Sequence, residues 1–231
     1  MFKTLKFKGN EENFWFVSDL HRGHDRDFIY LKRNYKNVIE HDEGIINNWN
    51  KVCNGNSVIF NLGDVQFGDP DGSKFLQSMR RLNFDTQYIG WGNHNSGILQ
   101  VYKNEMSKQF PNSIKDGILQ YEVYPLTMIL DGVKKVIFMP QYFEIQINGQ
   151  FIVLCHYSIY SFNNQARGSL MLSGHSHSSC PLTNKNTGKG KRLDLSWESF
   201  GRPVNLLEIK KLLANRDLDC SDHHGDTSQN T

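Results

Sequence analysis

Two histidines set two residues apart, in Ser173-Gly174-His175-Ser176-His177, are where this chain first offers chemistry. They follow the apolar run Gly168-Ser169-Leu170-Met171-Leu172. On extended backbone just past a buried strand, both imidazoles would face the same side. That arrangement suits chelation of a cation, although two loop histidines on the surface would look the same in isolation. Four other segments end in a similar way. Phe14-Trp15-Phe16-Val17-Ser18 runs into Asp19-Leu20-His21-Arg22-Gly23-His24, and Ser57-Val58-Ile59-Phe60-Asn61-Leu62 into Gly63-Asp64. Thr86-Gln87-Tyr88-Ile89-Gly90-Trp91 runs into Gly92-Asn93-His94-Asn95, and Phe151-Ile152-Val153-Leu154-Cys155 into His156.

In α/β sheets the carboxyl ends of the strands converge on a common crevice. Five arrivals there, each bringing Asp, Asn or His, are hard to explain as packing. Oxygen and imidazole donors without a thiolate favour a hard-to-borderline divalent ion such as Mn, Fe, Zn or Ni. Asp19, His21, Asp64, Asn93, His156, His175 and His177 are too many for one tetrahedral ion. They match two ions sharing a bridging carboxylate.

The elements that must position these groups follow from the apolar pattern. Residues 2–8 alternate as an edge strand with one wet face. Between Asp25 and Asn50 the apolar positions recur at helical spacing, with a break near Asn34-Tyr35-Lys36-Asn37 dividing two helices. Further helices are expected at about Ser73–Leu82, Gly97–Phe110 and Val204–Leu213. Five β-rich runs, at 118–124, 126–130, 134–139, 143–147 and 151–155, fill the middle, and Asn148-Gly149 is a hairpin signal. Thr187-Gly188-Lys189-Gly190-Lys191 lacks the phosphate-loop frame and reads as a hairpin turn. The whole is one α/β domain over 1–214, and the polar tail 215–231, with Cys220 and His223-His224, is expected to be disordered.

Composition narrows the function. A net charge of +2 gives no field for a polyanion, so extended nucleic acid is not an expected partner. The four cysteines are scattered without metal or disulfide spacing and read as free thiols of a reducing compartment. The first residues contain no apolar signal core and no run approaches membrane-spanning length, so the expectation is a cytoplasmic protein with no membrane partner.

Asp19-x-His21, Gly63-Asp64, Gly92-Asn93-His94, His156 and Gly174-His175-x-His177 stand in the order and rough spacing of the calcineurin-like metallophosphoesterases. The resemblance covers about residues 14–180. The Asp-Leu-His-x-Gly-His opening, Trp49-Asn50 and the segment from Leu193-Asp194 to Pro203-Val204 look like the small bacterial and phage phosphohydrolases of that superfamily. The resemblance implies a metallophosphoesterase-type β-sandwich of two mixed sheets flanked by helices, in four α-β-β-α layers. It implies Asp19, His21 and His177 on one ion, Asn93, His156 and His175 on the other, and Asp64 bridging. Two divalent ions, Mn²⁺ first among Mn, Fe, Zn and Ni, would provide a bridging hydroxide to attack a phosphate ester, with Asp64 and His94 as the catalytic pair. His94 would protonate the departing oxygen. The family usually carries Asp after Gly-Asn-His; Asn95 stands here and can hydrogen-bond but adds no charge to His94.

The expected substrate is a small phosphorylated molecule, a small or cyclic nucleotide diester first and a phosphomonoester second. A non-catalytic protein-binding scaffold is the rival of another class, and a mononuclear zinc hydrolase a further one. Around the site, Arg22, His24, Asn95, Arg167 and Tyr157 are candidates for substrate contact, each with a structural alternative. His41, inside a predicted helix, reads as a surface residue, and Arg80-Arg81 as helix-end cations.

Overall fold

The apolar runs become thirteen short strands and six helices in a computed structural model that describes residues 3–218. In chain order they are β1 (Leu5–Phe7), β2 (Phe14–Val17), α1 (Asp27–Tyr30), α2 (Val38–Val52), β3 (Val58–Asn61), α3 (Ser73–Arg81) and β4 (Thr86–Ile89). Then follow α4 (Ser96–Gln109), β5 (Ile114–Lys115), β6 (Ile118–Leu119), β7 (Leu126–Leu130), β8 (Lys134–Phe138), β9 (Tyr142–Ile147) and β10 (Gln150–Cys155). The chain closes with β11 (Leu170–Ser173), β12 (Arg192–Asp194), α5 (Trp197–Phe200), β13 (Val204–Asn205) and α6 (Leu206–Leu213).

They assemble into two mixed sheets, of order β13-β2-β3-β4-β8-β7 and β1-β9-β10-β11-β12, plus the small β5-β6 ribbon. In the first, β2, β3, β4 and β8 run parallel, and in the second β10, β11 and β12 do. The sheets face each other through one apolar cluster. Phe14, Phe16 and Phe60 come from the first, and Ile145, Ile147, Ile152, Leu154, Leu170 and Leu172 from the second. A ring stack of Phe16 on Phe60 and Phe60 on Tyr88, both at 5.1 Å between centroids, runs across three strands of the first sheet. Its other face is covered by α2, α3 and α4 through Ile45, Trp49, Phe75, Met79, Val101 and Tyr102.

Local signals explain the element ends. Asn37 Oδ1 accepts from Glu40 N at 2.9 Å and starts α2 after the expected break. Asn205 caps α6 in the same way. Asn148 and Gly149 both have positive φ, 48° and 92°, and join the antiparallel pair β9–β10 as the primed turn that matches strand twist. Among the described residues no helix is long and apolar enough to cross a membrane.

Several expectations change. The segment 187–191 is no hairpin turn, because β11 and β12 are parallel and it belongs to the crossover between them. Of the run 118–124 only Ile118–Leu119 is strand. A helical fourth layer is not found among the described residues: Val153, Cys155 and Met171 on the outer face of the five-stranded sheet pack against Phe162 and Ile159 of a loop. His41 is fully buried, since it falls four and eight residues before Ile45 and Trp49 on the apolar stripe of α2. The tail is ordered at its start: Arg216 donates to the carbonyls of Arg192, Asn184 and Lys185. Phe2, Cys220, His223 and His224 lie outside the described residues.

Trp49 is wholly buried and its indole N–H donates to Asn83 O at 2.9 Å. Trp49→Ala should therefore cost about 3–5 kcal/mol in urea unfolding, from the lost burial and the cavity left between α2 and the sheet. A cost near zero would show that α2 packs without it.

Candidate metal centre

The ends of β2, β3 and β4 from one sheet and of β10 and β11 from the other meet at one side of the sandwich. Backbone bonds continue past the strands and lock the loops together: Asp19 N donates to Gly63 O at 3.1 Å, His21 N to Asp64 O at 2.8 Å and Gly174 N to His156 O at 2.9 Å. The sheets are tied at the same place, by Ser18 N on Leu195 O and by the His156 ring on Leu62 O.

Five of the seven proposed donor residues have left-handed backbone: Asp19 (φ 57°), His21 (49°), Asp64 (52°), His175 (64°) and His177 (47°). Non-glycine residues rarely adopt it, and clusters of such residues mark sites where surrounding structure fixes a demanding geometry. Three glycines make room for it. A Cβ on Gly92 would lie 2.7 Å from Asp64 Cγ, one on Gly174 2.6 Å from Ser18 Cβ, and one on Gly63 2.8 Å from Gly92 Cα.

Each buried carboxylate is split between two tasks. Asp19 Oδ2 accepts from His175 N at 2.9 Å, and Asp64 Oδ1 accepts from His94 N at 2.8 Å. The other oxygens face ring nitrogens. Asp19 Oδ1 is 3.6 Å from the Nε2 atoms of His21 and His177, and Asp64 Oδ2 is 3.6 Å from those of His21 and His156. Asn93 Oδ1 is 3.0 Å from both His156 Nε2 and His175 Nδ1. A gap of 3.6 Å is too long for a hydrogen bond. It is what two ligand arms of about 2.1 Å to a shared ion would span.

The same fit appears in what is left unpaired. Asp19 Oδ1 and both ring nitrogens of His21 are buried without a hydrogen-bond partner, and the ion pairs of Asp19 and Asp64 among the described residues are to histidines alone. Buried carboxylates without a guanidinium or ammonium partner call for a cation. Asp19, His21 and His177 form one grouping that could hold a metal ion, and Asp19, Asp64 and His156 another. Tautomers agree. His156 Nδ1–H donates to a carbonyl, which can only accept, and so presents its Nε2 lone pair to the centre.

Electrostatics reflect the crowding. Burial alone would raise the Asp19 carboxyl, but His21, His156 and His177 hold it well below the usual carboxylate range. Burial would likewise raise Glu198, yet His177 and Arg33 hold it down to about 2. Burial pulls the His24 imidazole down to about 4, helped by His21 beside it.

The outer candidates divide. His24 lies inside the site rim, its ring 5.7 Å from His21 and 4.1 Å from Phe67 between centroids. Tyr157 stands over the other side, 4.6 Å from the His175 ring and 37% exposed. His94 is exposed with its ring 5.6 Å from that of His21. Arg22 is turned away: it is buried and its guanidinium donates to Ser78 Oγ on α3, so it secures the loop and does not face the candidate donors. Arg167 precedes β11 and lines a cleft with Asn148 and Gln150, at the strand ends opposite the metal groups. Asn95 does not reach His94; its Oδ1 and Nδ2 close onto Gly92 N and O, which folds the loop. Arg80 and Arg81 pair with Asp131 and Glu43 on the surface, as helix-end cations do. The residues missed by sequence reasoning are Arg33, His41 and Glu198, which stand behind the donors; only the helical spacing of His41 offered a signal.

No family model matches the chain. It is 30% identical over 80 residues to the uncharacterized protein MJ1445 of Methanocaldococcus jannaschii, a stretch that is 35% of this chain and 45% of that protein, so it spans under half of that relative. Among solved structures it is similar to the protein of unknown function AQ665 from Aquifex aeolicus, with a TM-score of 0.52 and 18% identity over 86% of this chain and 98% of that one. That likeness concerns the α/β fold alone.

Gly92→Ala should push the Asp64 carboxylate aside. Mn²⁺ should raise the melting temperature of the wild-type chain, and the variant should lose most of that rise. An equal rise in both would show that Asp64 is not a donor.

Proposed function

We propose that the chain is a calcineurin-like metallophosphoesterase: a metal-dependent phosphoric ester hydrolase with a dinuclear centre, acting on a small phosphodiester of nucleotide type. The observation that carries the reading is the pair of buried carboxylates, Asp19 and Asp64, each with an oxygen 3.6 Å from two imidazole nitrogens and, among the described residues, no arginine or lysine as partner. Asp19, His21 and His177 would hold one ion and Asn93, His156 and His175 the other, with Asp64 between them. The ions, Mn²⁺ in the first instance, would supply an acidified water and a positive clamp for phosphoryl oxygens.

The chain's own groups account for the rest. Asp64 fixes the backbone of His94, and the exposed His94 ring would give a proton to the leaving oxygen. Tyr157 offers a ring face to the ester group that stays. A diester carries one negative charge and a monoester up to two. Arg22 is buried and turned to Ser78 on α3, and Arg33 is engaged by Glu198 and backbone carbonyls, so neither guanidinium faces the centre to meet a second charge. This favours the diester, with a phosphomonoesterase as the alternative. A non-catalytic scaffold would have no use for a full donor set in strained backbone, and a single zinc site would leave half of the donors idle.

A panel of phosphate esters with Mn²⁺ tests the reading. Bis-p-nitrophenyl phosphate should be hydrolysed faster than p-nitrophenyl phosphate. Asp64→Asn should lower turnover by at least about 100-fold and His94→Ala by about 10²–10⁴-fold. Mn²⁺ binding without turnover of any ester would leave the scaffold reading in place of the enzyme.

A further inference from the structure

The two halves of the centre are built differently behind the donors. Glu198 Oε1 accepts from His177 Nδ1 at 2.8 Å, and also from Arg33 Nε and Nη2 at 2.8 Å. The Arg33 guanidinium continues to Leu20 O at 2.7 Å, Asp19 O at 2.8 Å and His41 Nε2 at 2.8 Å. All five of its N–H groups are thereby used. Arginine only donates, so His41 Nε2 accepts, and His41 Nδ1–H donates to Asp42 Oδ1 at 2.9 Å. Asp42 in turn accepts from Gly23 N at 2.9 Å. One buried network thus grips the 19–23 loop at three backbone points and His177 by its ring. Nothing equivalent stands behind the other half among the described residues. His156 leans on a neutral carbonyl, Asn93 is a neutral amide, and His175 is exposed.

The consequence for a cation follows from two terms. In the ligand sets proposed above, the first half takes two carboxylates, Asp19 and Asp64, and the second only Asp64, while Asp19 also stands within reach of His156. A histidine that donates to a carboxylate is also a more basic and better oriented ligand than one that donates to a carbonyl, and removing such a partner costs about 10–100-fold in metal affinity. Arg33 cancels the charge of Glu198, so what the pair supplies to His177 is orientation and basicity.

We infer that Glu198 and Arg33 are positioning residues that make the Asp19/His21/His177 half the tight cation site, filled first, and leave the Asn93/His156/His175 half to fill second and more weakly. This rests on the metal-binding part of the reading above and not on the phosphoesterase part.

Titration calorimetry of the full, chelator-stripped chain with Mn²⁺ alone, paired with electron paramagnetic resonance, tests it. The wild type should bind in two steps at least tenfold apart, with the spectrum of an isolated ion at one equivalent and a coupled pair at two. His175→Ala should keep the tight step and lose the weak one. Glu198→Gln should weaken the tight step by about 10–100-fold, with circular dichroism confirming the fold, and Glu198→Asp should recover part of the loss. Arg33→Lys, which keeps the charge but not the five donors, should weaken the same step and serves if Glu198→Gln does not fold. Two equal steps, loss of the tight step in His175→Ala, or a tight step unmoved by Glu198→Gln and Arg33→Lys would overturn the assignment. No Mn²⁺ binding by the wild type would overturn the metal reading itself.

Discussion

Two carboxylates with almost no access to water, Asp19 and Asp64, sit at the ends of neighbouring parallel strands and face the same space. In an apolar interior each would be costly when charged, and together they repel. The loops around them are arranged as a response to that cost. Backbone N–H groups of His94 and His175 take one oxygen of each, and imidazoles surround the other. The arrangement is only half neutralised by the protein, which leaves a place that could hold a divalent cation.

Holding these groups requires backbone that the residues themselves disfavour. Asp19, His21, Asp64, His175 and His177 are all left-handed, and Gly63, Gly92 and Gly174 are in contact with them because a side chain would not fit. The strain is carried by rigid neighbours. The loops are extensions of strand ladders whose inner faces are fully buried phenylalanine, isoleucine and leucine, and the Arg33 network supports the 19–23 loop from outside. Packing, local strain and site geometry are therefore one problem, solved by placing every donor within a few residues of a strand that cannot move.

This is also why the candidate donors were legible in the sequence and the residues behind them were not. A polar, metal-ligating residue at the end of an apolar run is conspicuous, and the run itself predicts the strand that delivers it. Arg33 and Glu198 come from a turn after α1 and from α5, 165 residues apart, and neither type nor spacing announces that they meet. His41 was readable on the stripe with Ile45 and Trp49, but a histidine in a helix is usually solvated. Arg167 misled through nearness in sequence. It precedes β11 while His175 follows it, and four residues of extended chain place roughly 13 Å between them. Asn95 misled through type: its amide closes on its own loop before it can orient a neighbour. The core strands were read from continuous apolar runs and the sandwich from the family resemblance, whereas the loop that replaces a fourth helical layer has no periodicity to read.

The candidate centre lies on the seam between the sheets, and that placement would couple ion binding to folding. Asp19, His21 and Asp64 belong to the six-stranded sheet, and His156, His175 and His177 to the other. Each of the two candidate groupings draws donors from both: Asp19 and His21 with His177, and Asp19 and Asp64 with His156. An ion seated in either would cross-link the sheets at the edge where the carboxylates of one face the imidazoles of the other. A ligand that binds only the folded chain stabilises it in proportion to its concentration over its dissociation constant, by about 2.7 kcal/mol at a hundredfold excess. The apolar interface between the sheets supplies cohesion everywhere else along the sandwich, and the cation would supply it where that interface gives way to buried carboxylates.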